Sequence, residues 1–149
     1  FVFRFHLGRS RAVVLAFGRR TAEAEAELEK LPPFPDDFEP KEREGLERSL
    51  AGPRAAIARA KGDTGAAVAL LRELLADEKD RGAGEFGYYP ATFRLRARLA
   101  DALVTLGRPD EAREELRPVL SVNPRFAPAL AVLTRIDGRE RSPEGAAGR

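Results

Sequence analysis

Apolar residues recur three and four positions apart in three alanine-rich stretches, the spacing that lines one face of an α-helix. Ala24, Leu28 and Leu31 mark the first, residues 21–31. Ala67, Val68, Leu71, Leu74 and Leu75 mark the second, residues 64–75, and Ala112, Leu116, Val119 and Leu120 the third, residues 109–120. Each stretch follows a glycine, with 44 residues from Gly18 to Gly62 and 45 from Gly62 to Gly107. A second amphipathic run precedes each glycine, over residues 3–17, 41–61 and 91–106. The pattern predicts three helix hairpins in tandem, each turning at its glycine.

Local chemistry sharpens the ends of these helices. Thr21 and Thr64 suit N-caps, because a hydroxyl accepts a bond from an otherwise orphaned first-turn N–H. Pro109 suits a first helical position, where no N–H partner is lost. Pro53 removes a backbone bond from the long run 41–61 and predicts a kink or split near residues 49–52. Phe1, Phe3, Phe5 and Leu7 alternate with Val2, Arg4 and His6, a strand-like period at odds with the hairpin pattern; helix is expected here because the hairpin requires it.

Two connectors, residues 32–40 (PPFPDDFEP) and 82–90 (GAGEFGYYP), join the hairpins. Both mix proline with aromatics, which argues against flexible linkers. Phe34, Phe38, Phe86, Tyr88 and Tyr89 are expected to pack over the helix layers or to line a groove. After Asn123-Pro124 a seventh helix is expected, with Phe126, Leu130, Leu133 and Ile136 as its apolar stripe, covering the last hairpin as solenoid caps do. Residues 138–149 are rich in Gly, Arg, Ser and Pro without apolar period and read as a disordered tail.

The third hairpin carries a resemblance. Leu99, Ala100, Leu103, Gly107, Ala112, Leu116, Val119 and Pro124 fall where a tetratricopeptide repeat places its large, small, large, turn, small, large, small and terminating residues. The region from about residue 3 to 136 resembles that family, most closely over 93–126. In the second hairpin Ala55, Ala58, Gly62, Ala67, Leu71 and Leu74 match, with Lys79 in place of the closing proline. The first needs a one-residue slip after Gly18. The connectors lengthen the family's period of about 34 by roughly ten residues. The resemblance implies an all-α fold: a right-handed α-solenoid of three hairpins, about 3–31, 41–80 and 91–121, with a capping helix over 124–137. Ala55, Ala67, Ala100 and Ala112 would let paired helices approach near the short end of the ~8–10 Å range.

In this family the first helix of each hairpin lines a concave groove. The resemblance implies exposed groove positions at Phe5, Gly8, Ala12 and Leu15; at Ser49, Gly52, Ala56 and Arg59; and at Arg94, Ala97, Arg98, Asp101 and Thr105. One subclass grips chaperone-tail carboxylates with a Lys/Asn/Asn/Lys/Arg clamp. Arg94 and Arg98 match its last two positions, but Gly8, Ala12 and Pro53 replace the others, which argues against a chaperone-tail adaptor. Arg94 and Arg98 still suit an acidic peptide, since guanidinium forks bind carboxylates bidentately.

Composition removes most other chemistry. The 149-residue chain has 26 basic and 24 acidic residues, and this near-balance gives no electrostatic case for nucleic acid. Without cysteine, disulfides, cysteine-ligated zinc and thiol catalysis fall away. No apolar run approaches the ~20 residues of a membrane span, and the composition fixes no compartment. His6, the only histidine, makes neither a metal site nor a triad. Glu23, Glu25, Glu27 and Glu29 spread around a helix, and Gly82-Ala83-Gly84 lacks the strand and Gly-Lys-Ser/Thr of a phosphate loop. No catalytic residue, cofactor or metal is expected.

The sequence therefore reads as a non-catalytic protein- or peptide-binding scaffold. Its binding residues are Arg59, Arg94, Arg98 and Asp101, with Tyr88 and Tyr89 at the rim, and the partner a protein or peptide of acidic character. The alternative is an accessory structural repeat region of a multidomain enzyme or regulator. Methionine is absent and Phe stands first, which suggests a fragment of a larger bacterial protein. An uncapped first hairpin would expose Phe1, Phe3 and Phe5 as an apolar edge for self-association.

Overall fold

A computed structural model of the chain describes residues 1–80 and 90–141. The fold is all-α: the described residues form eight helical segments and no strand. The chain divides into two units, residues 1–76 and 77–149.

In the first unit, α1 (Val2–Phe17) and α2 (Thr21–Glu29) form a hairpin, and α1 also packs against α4 (Ala51–Ala60). Ala12, Ala16, Ala24 and Ile57 are buried together, with Leu15, Leu28 and Ala56 packed on them. Small residues set the spacing: a side chain at Gly8 would meet Leu31 Cδ2 at 2.7 Å. The alternating start of the chain is helical, because Phe1 and Phe5 lie one turn apart and share a destination. Their rings meet those of Phe34 and Phe38 from the first connector, at centroid distances of 5.4 Å for Phe1–Phe34, 5.0 Å for Phe1–Phe38 and 5.8 Å for Phe5–Phe34. Arg43 lies 5.6 Å over the Phe34 ring, a cation–π contact. These connector aromatics close a core. Phe86, Tyr88 and Tyr89 of the second connector lie outside the described residues.

The long second run does split. α3 (Pro40–Ser49) and α4 are separated by Leu50, which puts Pro53 in the first turn of α4, where a missing N–H leaves no intrahelical bond unmade. α5 (Thr64–Asp80) returns from the Gly62 turn and buries Ala67, Val68, Leu71 and Leu75.

The three turns share one hydrogen-bond pattern. The N–H groups of Arg20, Asp63 and Arg108 each donate to the carbonyl five residues back, on Leu15, Ala58 and Leu103, at 2.9 Å. The residue before each donates three back, Arg19 to Ala16, Gly62 to Arg59 and Gly107 to Val104. This is a Schellman termination, whose first residue past the helix is left-handed. Gly62 (φ +89°) and Gly107 (φ +73°) fill that position, but in the first hairpin Arg19 (φ +58°) does, while Gly18 is right-handed (φ −76°). The one-residue slip in the first repeat is therefore physical. The caps also differ from expectation. Asp63 Oδ1 accepts the Ala66 N–H at 2.9 Å, so Asp63 rather than Thr64 caps α5, and Thr21 is already inside α2 without capping it.

In the second unit, α6 (Pro90–Thr105) packs against both α7 (Pro109–Val122) and α8 (Ala127–Arg141). Leu99, Ala100, Ala102, Leu103, Ala112, Leu116 and Val119 are buried. Arg96 bridges to Glu115 at 2.6 Å, tying α6 to α7. Phe93 and Phe126 meet edge-on at 5.8 Å. The buried stripe of α8 is Ala129, Val132 and Ile136, whereas Leu130 is exposed. A small residue at 129 lets the helix seat closely, which rotates the stripe away from the expected Leu130–Leu133 edge. α8 also runs past Asp137, so residues 138–141 belong to a helix and not to a tail. The remainder of the expected tail, residues 142–149, lies outside the described residues.

Candidate functional site

The surface of α6 that its neighbours leave accessible is narrow. Arg94, Arg98, Asp101 and Thr105 follow one another by four, three and four positions and so share a face. Arg94 and Thr105 are exposed; Arg98 and Asp101 are half-buried. Arg98 is itself engaged in an interaction.

The neighbouring helix completes the site. Arg135 of α8 forms an ion pair with Asp101 and reaches Thr105 Oγ1 at 3.5 Å. One turn further, Arg139 Nη1 donates to the Val104 carbonyl at 2.5 Å. Behind, Arg113 of α7 reaches Asp137 of α8 at 3.6 Å and Asp110 of its own helix at 3.4 Å. Arg135 and Arg139 are the site residues that sequence reasoning passed over. Their pairing with α6 spans more than thirty positions, and only the seating of α8 through Ala129 brings it about.

The chemistry of this face is that of a basic stripe with one internal carboxylate. Along this stripe the guanidinium groups of Arg94, Arg98 and Arg135 stand with the carboxylate of Asp101, which Arg135 engages. An arginine fork offers five donors in a plane and suits bidentate pairing with a carboxylate or phosphate.

Arg59 lies on α4 in the first unit, half-buried, where loss of solvent holds its guanidinium below the usual arginine range. Tyr88 and Tyr89 lie outside the described residues. Of the expected groove positions, Phe5, Ala12 and Ala97 are buried, and Leu15 and Ala56 pack against the first unit's core. The reason is common to all five: each sits on a helix that packs against at least two others, α1 and α6 against two and α4 against α1, α2 and α3, so these positions are drawn into packing. Among the described residues no cluster of three histidines, cysteines or carboxylates is placed to hold a metal ion, and no helix is long and apolar enough to cross a membrane.

A family model for the tetratricopeptide repeat matches residues 58–136, more than half of the chain. No curated protein and no solved structure gives a match alongside it.

Proposed function

The chain belongs to the tetratricopeptide repeat family, and on that premise we propose that it is a non-catalytic scaffold whose second unit binds an acidic protein segment. Repeats of this kind are typically scaffolds for protein interaction. The observation that carries the choice of ligand is the stripe on α6, where Arg94 and Arg98 stand one turn apart beside the Arg135–Asp101 pair. A peptide carboxylate would find two guanidinium planes within one helical turn, about 5.4 Å of rise. A second carboxylate would compete with Asp101 for Arg135, which sets the spacing of acids that binds best. Tyr88 and Tyr89, just before α6 in the chain, are proposed as rim contacts. Arg59, on α4 of the first unit, is proposed as a further basic contact.

The test is an array of peptides with acidic residues at varied spacing, read against the wild type and the Arg94→Glu/Arg98→Glu variant. Loss of about 2–4 kcal/mol of binding to acidic peptides is expected, because opposed charges replace two charge-assisted contacts. Arg117→Glu on α7, where Arg117 pairs with Glu114 at 2.7 Å, should leave binding intact. Equal binding by wild type and the double variant would overturn the reading.

A further inference from the structure

The first unit carries a second surface that the peptide-binding reading neither uses nor needs. On α1 the residues Phe3, Leu7, Ser10, Val14 and Phe17 are all exposed, and they are spaced four, three, four and three apart. Four of them are large and apolar, with 78% of Phe3, 47% of Leu7, 69% of Val14 and 62% of Phe17 open to solvent. Their 3–4 spacing is the seam of a helix that pairs with another helix. It lies opposite the buried Phe5, Ala12 and Ala16, which face the core. The expected apolar edge of Phe1, Phe3 and Phe5 is thus corrected: Phe1 and Phe5 turn into the aromatic cluster, and only Phe3 remains outside.

The order of sizes along the seam is symmetric. Reading inward from both ends gives Phe3 and Phe17, then Leu7 and Val14, with Ser10 at the centre. A two-fold contact requires a patch complementary to itself, with residue i meeting j and j meeting i. Two antiparallel copies of α1 crossing at Ser10 satisfy this, with each Phe3 against the other copy's Phe17 and each Leu7 against its Val14. The small serine lets the helices approach at the axis.

Charge and area support the same occupant. α1 has Arg4, Arg9 and Arg11 and no acid, whereas α2 alongside brings Glu23 and Glu27, with Arg11 reaching Glu27 at 3.5 Å. An open hollow of about 420 Å³ separates the two helices, lined by Ser10, Arg11, Val14, Leu15, Ala26 and Glu27 among others. Antiparallel pairing brings the Arg4 flank of one copy toward the Glu23 end of the other. The four apolar side chains offer on the order of 400 Å² per copy, taking roughly 150–250 Å² for a phenylalanine and somewhat less for leucine and valine. Two copies with their α2 flanks reach about 1,000 Å², the low end of specific interfaces. We propose that α1 is a homodimerisation helix, forming a weak, antiparallel, two-fold contact centred on Ser10.

Cysteine substitution tests the register directly, because the chain contains no cysteine. Ser10→Cys should form a disulfide-linked dimer under mild oxidation, and Phe3→Cys alone should not. A mixture of Phe3→Cys and Phe17→Cys chains should cross-link as a mixed pair. Ser121→Cys, an exposed control in the second unit, should remain monomeric. Sedimentation of the unmodified chain should show reversible dimerisation, weakened at least tenfold by Val14→Asp with unchanged helical circular dichroism. A chain that stays monomeric at every concentration overturns the proposal, as does Ser10→Cys cross-linking no faster than Ser121→Cys. Recruitment of a monomeric chain to anionic phospholipid vesicles overturns it in favour of a lipid surface.

Discussion

Arg19→Gly should stabilise the first unit. Arg19 is exposed, holds φ at +58°, and occupies the position that Gly62 and Gly107 fill in the other two turns. A left-handed backbone costs an L-residue roughly 1–2 kcal/mol through the approach of Cβ to the carbonyl oxygen. Glycine escapes that cost but loses about 0.5–1 kcal/mol more conformational entropy on folding. The difference is a gain of about 0.5–1 kcal/mol, since an exposed side chain forfeits little packing. For a unit of this size that corresponds to a rise of roughly 3–6 °C in Tm. The reciprocal change is Gly107→Ala. Beyond the local backbone no heavy atom lies within 4 Å of where its Cβ would stand, so its cost is conformational alone, about 1 kcal/mol. Urea unfolding by circular dichroism measures both variants. Amide exchange at Arg20, whose N–H bonds Leu15, localises the first effect. The reasoning is refuted if Arg19→Gly fails to stabilise, or if Gly107→Ala is neutral.

Two further outcomes test the packing and the electrostatics. Ala112→Leu places three extra heavy atoms at a fully buried position of α7 and should cost about 1–3 kcal/mol in thermal unfolding of the second unit, whereas Ala131→Leu on an exposed site of α8 should stay within about 0.5 kcal/mol. Glu23 accepts hydrogen bonds from Arg20 at 2.6 and 2.5 Å, and these hold its carboxyl below the usual glutamate range. With a depressed folded pKa, its contribution is present above the unfolded value near 4.5 and is lost as pH falls through the folded one. A carboxyl NMR titration should place Glu23 below the usual glutamate range, and Arg20→Gln should return it to that range.

The helices were legible because burial of one face leaves a 3.6-residue imprint that does not depend on the partner. The second and third turns were legible because only glycine holds a left-handed φ cheaply, so Gly62 and Gly107 mark their own geometry. The first turn was misplaced for the same reason in reverse: Arg19 bears the strain, and Gly18 beside it draws the eye. Ala55, Ala67, Ala100 and Ala112 are buried, as close helix approach requires. The candidate site was legible only in part. Arg94 and Arg98 follow from the resemblance to the family's groove positions, but Arg135 reaches Asp101 from another helix, and that depends on how α8 seats at Ala129. Groove positions carried over from the resemblance also overstate exposure. Phe5, Ala12 and Ala97 match exposed positions of that groove but are buried here, on helices that each have a second neighbour packed beside them.

The two helices of the first hairpin are unequal in what holds them. Both touch α4 as well as each other, but α1 buries three residues, whereas α2 is nine residues long and fully buries one side chain, the methyl of Ala24. A helix that short is not stable in water by itself, so α2 persists only while it is docked. Its detachment costs far less than unfolding the unit, and amide protection should fall sharply from α1 to α2. The chain thereby contains a soft wall beside a firm one. Any molecule that gains contact when α2 lifts has only a small free-energy gap to overcome, and a larger residue at position 24 would narrow that gap from within.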